Sequence, residues 1–216
     1  MKKFIISILI VIISGTVAYK GDIIPSFGEK SDPLLNVSQK SELASLEYDY
    51  KNQVVTVNAN KAEFTENDLS LAKGSWQHFS PLDGLNRVGV ANAMLSKDMM
   101  PTEEREPLYV DPTGWKNKKV PTGWLYNRCH LIGFQLTGEN NNLKNLMTGT
   151  RSLNTPAMLL YENKVADYIK QTKNHVRYQV KPIFRNNELV ARGVQMMAKS
   201  VENNQLEFNV YIFNIE

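Results

Sequence analysis

The order of the predicted elements is the feature that most constrains how this chain can fold. Two groups of strand-like segments flank one unit in which a short strand, an Asn-rich turn, a second strand and a helix follow one another. Consecutive strands before and after a helix, without regular strand–helix alternation, are typical of an α+β protein with a mainly antiparallel sheet. The flanking strands are predicted at 46–50, 53–57 and 87–95 and at 176–184, 189–197 and 206–213.

The central unit is predicted in more detail because its local signals are clear. A strand at 124–130 is followed by the turn signal of three asparagines at 140–142 and by a second strand at Leu146–Thr150. A helix should then begin with Thr155 as its N-cap and run to about residue 173. Elsewhere, we expect a hairpin between the first two strands, a helical turn at 67–73, and loops at 79–86 and 99–119.

The N-terminal end carries an export signal. A basic start and an apolar run precede small residues that end at Ala18. This pattern is typical of a secretory signal peptide at 1–18, and the run is shorter than the roughly 20 residues of a membrane-spanning helix. An uncleaved membrane anchor is the alternative. Residues 19–40 have the composition of a flexible tether, and 41–216 have the length of one domain. We therefore expect a secreted or surface-anchored protein.

The charge balance excludes a strongly basic protein. The formal net charge is +3, and it falls to +1 without the two lysines of the signal. Nucleic-acid binding would therefore need a local positive cluster, and an ordinary solvated loop is the alternative explanation for the lysines. The basic residues around the central unit are Lys116, Lys118, Lys119, Arg128, Lys144 and Arg151.

The four residues Asn127-Arg128-Cys129-His130, at the end of the first central strand, carry most of the chemical information. An imidazole such as that of His130 can deprotonate water near neutral pH. The planar guanidinium of Arg128 suits a phosphate. Asparagine amide oxygens and one carboxylate follow the motif, and such oxygens are ligands that Mg²⁺ accepts while keeping several waters. This set of groups favours metal-assisted hydrolysis of a phosphodiester.

The motif resembles Asp-Arg-Gly-His of the DNA/RNA non-specific endonucleases, a family with a ββα-metal active site, and the likeness is strongest to secreted streptococcal DNases and nucleases of DNA uptake. Asn154, with Glu162 eight residues later and Asn145 nine residues earlier, matches the spacing of that family. The resemblance implies that His130 is the general base, that Asn154 binds Mg²⁺ directly, and that Glu162 holds metal waters. Mn²⁺ or Ca²⁺ are possible substitutes. The implied partner is DNA, with RNA as an alternative, bound without regard to sequence, and no obligate protein partner is evident.

Departures from the family pattern leave some roles open. Asn127 stands where the motif has Asp, and Cys129 stands where it has Gly. Asn145 belongs either to the catalytic site or to a brace that holds a loop through its amide. Arg87 matches a phosphate-binding arginine more loosely, and Arg151 is a further candidate for substrate binding.

Two other classes of protein are compatible with parts of the sequence. A cysteine hydrolase would use Cys129 as nucleophile with His78 or His175 as base, although strand alternation directs Cys129 and His130 to opposite faces. A non-catalytic nucleic-acid-binding surface protein would explain the export signal but not the motif. One cysteine and three histidines without ligand spacing disfavour zinc.

Overall fold

The computed structural model describes residues 43–216. The predicted signal at 1–18, the tether at 19–40 and the first two residues of the predicted domain lie outside the described residues. Within residues 43–216, no helix is both long and apolar enough to cross a bilayer.

The described residues form ten strands, two α-helices and several short helical turns. The strands are β1 Val54–Thr56, β2 Trp76–Phe79, β3 Ala91–Leu95, β4 Lys119–Val120, β5 Gly123–Trp124, β6 Tyr126–His130, β7 Leu146–Thr150, β8 Val176–Ile183, β9 Gly193–Ser200 and β10 Glu207–Phe213. The α-helices are α1 Phe134–Thr137 and α2 Leu159–Thr172, and a π-helical turn, Leu153–Met158, leads into α2. The 3₁₀ turns are Leu43–Ser45, Asn58–Asn60, Lys97–Met99 and Leu143–Asn145.

A six-stranded antiparallel sheet forms the centre, in the spatial order β1-β10-β9-β8-β3-β2. Helix α2 packs on one face, where Ile169 shares a core cluster with Ile212 of β10, and the rings of Tyr161 and Phe208 have centroids 4.9 Å apart. Because side chains alternate along a strand, Tyr211 belongs to a smaller cluster separate from that of Ile212. The expected mainly antiparallel α+β architecture is confirmed.

Two further pairs of strands lie outside this sheet. Strand β4 pairs with β5, and β6 pairs with β7. The predicted strand at Leu146–Thr150 is confirmed, and the predicted strand at 124–130 divides between β5 and β6. Residues 101–118, which connect the main sheet to this region, contain neither helix nor strand, as expected for most of the predicted loop.

The predicted hairpin at the start of the domain is wrong. Residues 46–50 are not a strand, and β1 pairs instead with the distant β10, with Val55 opposite Tyr211. This pairing buries Val55 in the small cluster with Phe213, whereas a local hairpin would leave that surface uncovered. Long-range burial therefore outweighs the local turn signal.

Several predicted boundaries also shift. β3 begins at Ala91 rather than at 87, β9 spans Gly193–Ser200, and β2 was not expected. Residues 67–73 form turns without a helix. Thr155 is not an N-cap, because helical residues begin at 151 and Thr155 itself has extended backbone angles.

Candidate active site

Strands β6 and β7 and the helical segment after them build a ββα unit that carries the motif. Arg128 lies opposite Thr148, and His130 lies opposite Leu146. The alternation of the strand directs Arg128 and His130 to one face and Cys129 to the other. The base candidate and the phosphate-binding candidate of the sequence are therefore neighbours on one surface.

His130 is buried, with only 6% of its surface exposed. Its Nε2 lies 2.8 Å from the carbonyl oxygen of Asn140. A carbonyl only accepts hydrogen bonds, so this contact places the proton on Nε2 and the lone pair on Nδ1. Burial lowers the pKa of His130 to about 4, and the positive charge of Arg105 adds to this effect while the Asn140 bond opposes it. The imidazole is therefore neutral at physiological pH.

Arg105 was not predicted as a site residue, yet it lies at the centre of the site. Its Nη2 is 3.3 Å from Nδ1 of His130, and its charge also acts on Glu162. Its sequence neighbours Glu103, Glu104 and Glu106 make it resemble one charge of a solvated loop. No local signal distinguishes it, because only the path of residues 101–118 brings it to His130.

Arg128 is held firmly by that same segment. Its Nε donates to the carbonyl of Val110 at 2.8 Å, and its Nη2 donates to the carboxylate of Asp111 at 2.5 Å. The guanidinium carbon lies 4.7 Å from the ring centre of Trp115. Carboxylate, carbonyl and ring together fix the orientation of the guanidinium at the edge of a cleft.

Asn154 and Glu162 come from the helical part of the unit. Asn154 lies in the π-helical turn and lines the cleft. Its Nδ2 lies 3.4 Å from the hydroxyl of Thr155, and within residues 43–216 its amide oxygen accepts no hydrogen bond. Glu162 lies in the first turn of α2. Burial raises the pKa of Glu162 to about 7, although a hydrogen bond from Gln135 and the charge of Arg105 oppose this.

Gly133 creates the space that Glu162 occupies. A Cβ atom at position 133 would lie 2.6 Å from Oε2 and 2.8 Å from Oε1 of Glu162. The backbone three residues after His130 therefore lies directly against this carboxylate. Any larger residue at 133 would push the carboxylate from its place.

Asn145 serves as a brace. It is completely buried, its Oδ1 accepts from the backbone N–H of Ile132 at 2.9 Å, and its Nδ2 donates to the Ile132 carbonyl at 3.0 Å. The amide thus fixes the chain immediately after His130. Of the two alternatives that the sequence left open, the structure favours the brace.

The two arginines predicted to bind substrate have different positions. The structure does not bring Arg87 to the cleft: its Nε pairs with Asp83 at 2.8 Å, its Nη1 donates to the carbonyls of Asn186 and Glu188, and it stacks over Phe184. Unlike Arg128, Arg87 is not among the described residues that line the cleft, so a phosphate contact by Arg87 is not supported.

Arg151, in contrast, lies beside the cleft. It is exposed, its Nη1 lies 3.4 Å from the carbonyl of Thr122, and it lines a small cavity next to Trp124.

Cys129 lacks the properties of a nucleophile. Its side chain is fully buried, its sulfur lies 3.5 Å from that of Met158, and burial raises the pKa of the thiol far above its ordinary value. Among the described residues, neither histidine considered as its base forms a hydrogen bond with the buried thiol: His175 pairs with Glu202, and His78 is exposed on β2. The structure therefore contradicts the cysteine-hydrolase alternative.

A cleft of about 920 Å³ opens between residues 105–117, strands β5 and β6, and the π-helical turn. Among the described residues that line it, three are basic and none is acidic. The positive potential that the global charge does not supply is therefore local. The lining residues are Arg105, Leu108, Trp115, Lys116, Asn117, Trp124, Tyr126, Asn127, Arg128 and Asn154.

The donor atoms around the cleft fit a hydrated divalent cation. An amide oxygen open to the cleft and a buried carboxylate are hard oxygen donors, which suit an ion that retains several waters. Within residues 43–216 there is no group of three or more His, Cys, Asp or Glu side chains arranged to hold a metal. The residues that would hold the ion are Asn154, directly, and Glu162, through water.

A two-stranded hairpin followed by a helix, with a buried histidine and an open asparagine, defines the class of ββα-metal nucleases. A sequence profile of the DNA/RNA non-specific endonuclease family matches residues 66–202, and the chain belongs to this family. It is an endonuclease. Comparison with curated protein sequences gave no match.

Solved structures agree with this assignment. NucA from Streptococcus agalactiae with no metal bound is 25% identical, with a TM-score of 0.69, and the match covers 84% of this chain and 92% of that one. The same protein with magnesium bound is 26% identical, with a TM-score of 0.68 and coverage of 76% and 80%. Sda1 nuclease with bound zinc is 27% identical, with a TM-score of 0.65 and coverage of 76% and 90%.

Proposed function

We propose that the protein is a secreted, Mg²⁺-dependent endonuclease that hydrolyses DNA without regard to sequence and uses His130 as the general base. The observation that carries this proposal is the hydrogen bond from Nε2 of His130 to the Asn140 carbonyl. It leaves the Nδ1 lone pair directed towards Arg105, which itself lines the basic cleft. Mn²⁺ or Ca²⁺ are possible substitutes, and RNA is a second possible substrate.

The reaction needs three events at one phosphodiester. A water takes the place of the Arg105 guanidinium as hydrogen-bond donor to Nδ1 of His130, gives its proton to that nitrogen and attacks phosphorus. The bond from phosphorus to the leaving oxygen breaks, and that oxygen takes a proton from a solvent water, while His130 later returns its extra proton to the solvent. Arg128 and Arg105 hold the phosphate through charge-assisted hydrogen bonds, which position the backbone without reading the bases.

A magnesium ion on Asn154 would supply positive charge to the phosphate and the leaving oxygen. Glu162 would orient its waters, and Gly133 and Asn145 position Glu162 and the chain after His130. Support for the choice of ion comes from the oxygen-only donors of the chain and from the magnesium found in the related NucA.

Support for secretion comes from the pattern of residues 1–18. Two structures similar in fold, each 20% identical, are described as an extracellular endonuclease and an extracellular nuclease. The signal is either cleaved or kept as an anchor on the outer face of the membrane.

Plasmid cleavage with Mg²⁺, with EDTA, and with His130→Ala and Asn154→Ala proteins tests this function. We expect EDTA to abolish cleavage, and we expect His130→Ala to lose about 10²–10⁴-fold in rate with an unchanged circular dichroism spectrum. The Asn154→Ala protein should need a higher Mg²⁺ concentration to reach half of its maximal cleavage rate. His78→Ala removes an exposed histidine outside the cleft and serves as the control. A folded His130→Ala protein with the wild-type rate would refute the assignment of the base.

A further inference from the structure

Trp124 separates the cleft from a second cavity. The indole is 54% exposed, which is unusual for the largest apolar side chain. It lines the basic cleft and also a cavity of about 280 Å³, here called the side pocket. The residues of the side pocket are Val120, Thr122, Trp124, Leu125, Thr150, Arg151, Ser152, Thr155, Pro156 and Glu216.

The cleft and the side pocket also meet at the proposed metal ligand. Asn154 lines the cleft, whereas the next two residues, Thr155 and Pro156, line the side pocket. One indole and one step of the backbone therefore separate the place of the scissile phosphate from the side pocket.

The cleft is basic and the side pocket is mostly apolar, as suits the phosphate and the base of a nucleotide, respectively. The cleft offers the guanidinium groups of Arg105 and Arg128 to an anionic phosphate. The wall of the side pocket is mostly apolar, and its charged lining residues are Arg151 and Glu216. A nucleobase has flat apolar faces and a polar edge, and aromatic side chains bind such faces by stacking.

A cation close to the indole strengthens this interpretation. The ammonium group of Lys119 lies 5.6 Å from the ring centre of Trp124. This contact adds positive charge beside the indole, which favours the approach of an anionic strand.

We propose that Trp124 and the side pocket form a subsite for the base of the nucleotide next to the scissile phosphate. This inference rests on the proposed function. In a duplex, each base is stacked and paired inside the helix, so only an unpaired or extruded base can reach Trp124. The preferred substrate is therefore single-stranded or locally opened nucleic acid.

Binding without cleavage tests the subsite. Full-length His130→Ala protein is titrated in EDTA with a labelled single-stranded thymidine oligonucleotide and with an abasic oligonucleotide of equal length. The same titrations are repeated with His130→Ala proteins that also carry Trp124→Ala, Trp124→Phe or Tyr109→Ala. Tyr109 is an aromatic that is 75% exposed and lines neither cavity, so it is the matched control.

We expect Trp124→Ala to weaken binding of the thymidine strand by roughly ten- to hundredfold, the range of one base stacked on an aromatic. Trp124→Phe should weaken it less, and Tyr109→Ala should leave it unchanged. The abasic strand should bind weakly and equally well with and without Trp124. Melting temperatures show whether each variant is folded. The comparison of the thymidine strand with the abasic strand on the protein that keeps Trp124 does not depend on the folding of any Trp124 variant.

Equal losses on both strands after Trp124→Ala, equal binding of both strands to the protein with Trp124, or no binding of either strand would overturn the subsite. Failure of the proposed function is a separate result, namely a wild-type protein that does not cleave DNA with Mg²⁺. Cleavage by wild type of single-stranded DNA no faster than duplex DNA would also count against the subsite while leaving the nuclease assignment intact.

Discussion

At the scale of single residues, the structure reverses the expectation for two arginines: the sequence made Arg87 a candidate for phosphate binding and did not single out Arg105. Arg105 contacts His130 and opens onto the cleft, whereas Arg87 is held by Asp83 and two backbone carbonyls. The first is available to a phosphate, and the second is part of the fold.

We predict that Arg105→Ala lowers kcat/KM by about tenfold or more, the usual effect of losing a hydrogen bond to a charged group, and leaves the melting temperature nearly unchanged. Arg87→Ala should lower the melting temperature and leave kcat/KM nearly unchanged, because the ion pair, the carbonyl bonds and the contact with Phe184 all stabilise the fold. Steady-state kinetics on plasmid and on oligonucleotides, with calorimetry of both variants, make the comparison. An Arg87→Ala protein that is stable but inactive would reverse the two assignments.

The buried carboxylate of Glu162 makes a prediction about pH. Its pKa of about 7 in the folded protein exceeds the ordinary value of 4.5, so folding disfavours the ionised form. This destabilisation is fully present above pH 7 and disappears below pH 4.5. Glu162→Gln should therefore raise the melting temperature in EDTA at pH 8 and have little effect at pH 4.

Magnesium should raise the melting temperature of the same variant, Glu162→Gln, by less than that of wild type. Mg²⁺ stabilises the folded protein to the extent that it binds it, so wild type should gain more in melting temperature than Glu162→Gln. Glu66→Gln, an exposed position, is the control. A Glu162→Gln protein that melts lower than wild type at pH 8 would show that the carboxylate is stabilised by a protein cation instead.

At the scale of elements, the ββα unit depends on close approach between the chain after β6 and the helix α2. Gly133 permits this approach, because a Cβ there would meet the Glu162 carboxylate at 2.6–2.8 Å. The colliding atoms are the end of a flexible side chain, so the carboxylate can move without unfolding the protein.

We predict that Gly133→Ala folds normally but needs more Mg²⁺ and cleaves more slowly, since the displaced Glu162 no longer orients the metal waters. Gly84→Ala is the matched control, because a Cβ at that position meets nothing within 4 Å. Rates measured over a range of Mg²⁺ concentrations compare the two. Equal behaviour of both alanine variants would remove Gly133 from the positioning of the site.

At the scale of the whole molecule, every residue assigned to the site lies within residues 43–216, which the structure describes. Both core clusters are built from the same range. The proposed chemistry assigns no role to a residue of the predicted signal or tether.

We therefore predict that a protein comprising residues 41–216 folds cooperatively and cleaves DNA with the kcat/KM of the full-length chain. Thermal unfolding and plasmid cleavage measured side by side provide the check. A truncated protein that folds but loses activity would mean that the first 40 residues take part in substrate binding.

Much of the site could be predicted from sequence because it depends on short distances along the chain. Strand alternation brings Arg128 and His130 to one face, and Asn154 and Glu162 follow in the helical part of the same ββα unit. The α+β class was also predictable, since hydrophobic periodicity is a local property.

Tertiary structure alone decided the rest. The approach of Arg105 to His130, the removal of Arg87 from the cleft, and the pairing of β1 with β10 join residues far apart in sequence. Such contacts form only when the buried area gained by the whole chain exceeds the entropy lost in closing long loops. The sequence by itself thus determined which groups are candidates for the chemistry, because they lie close together along the chain, and the packed sheet determined which distant side chains lie beside them.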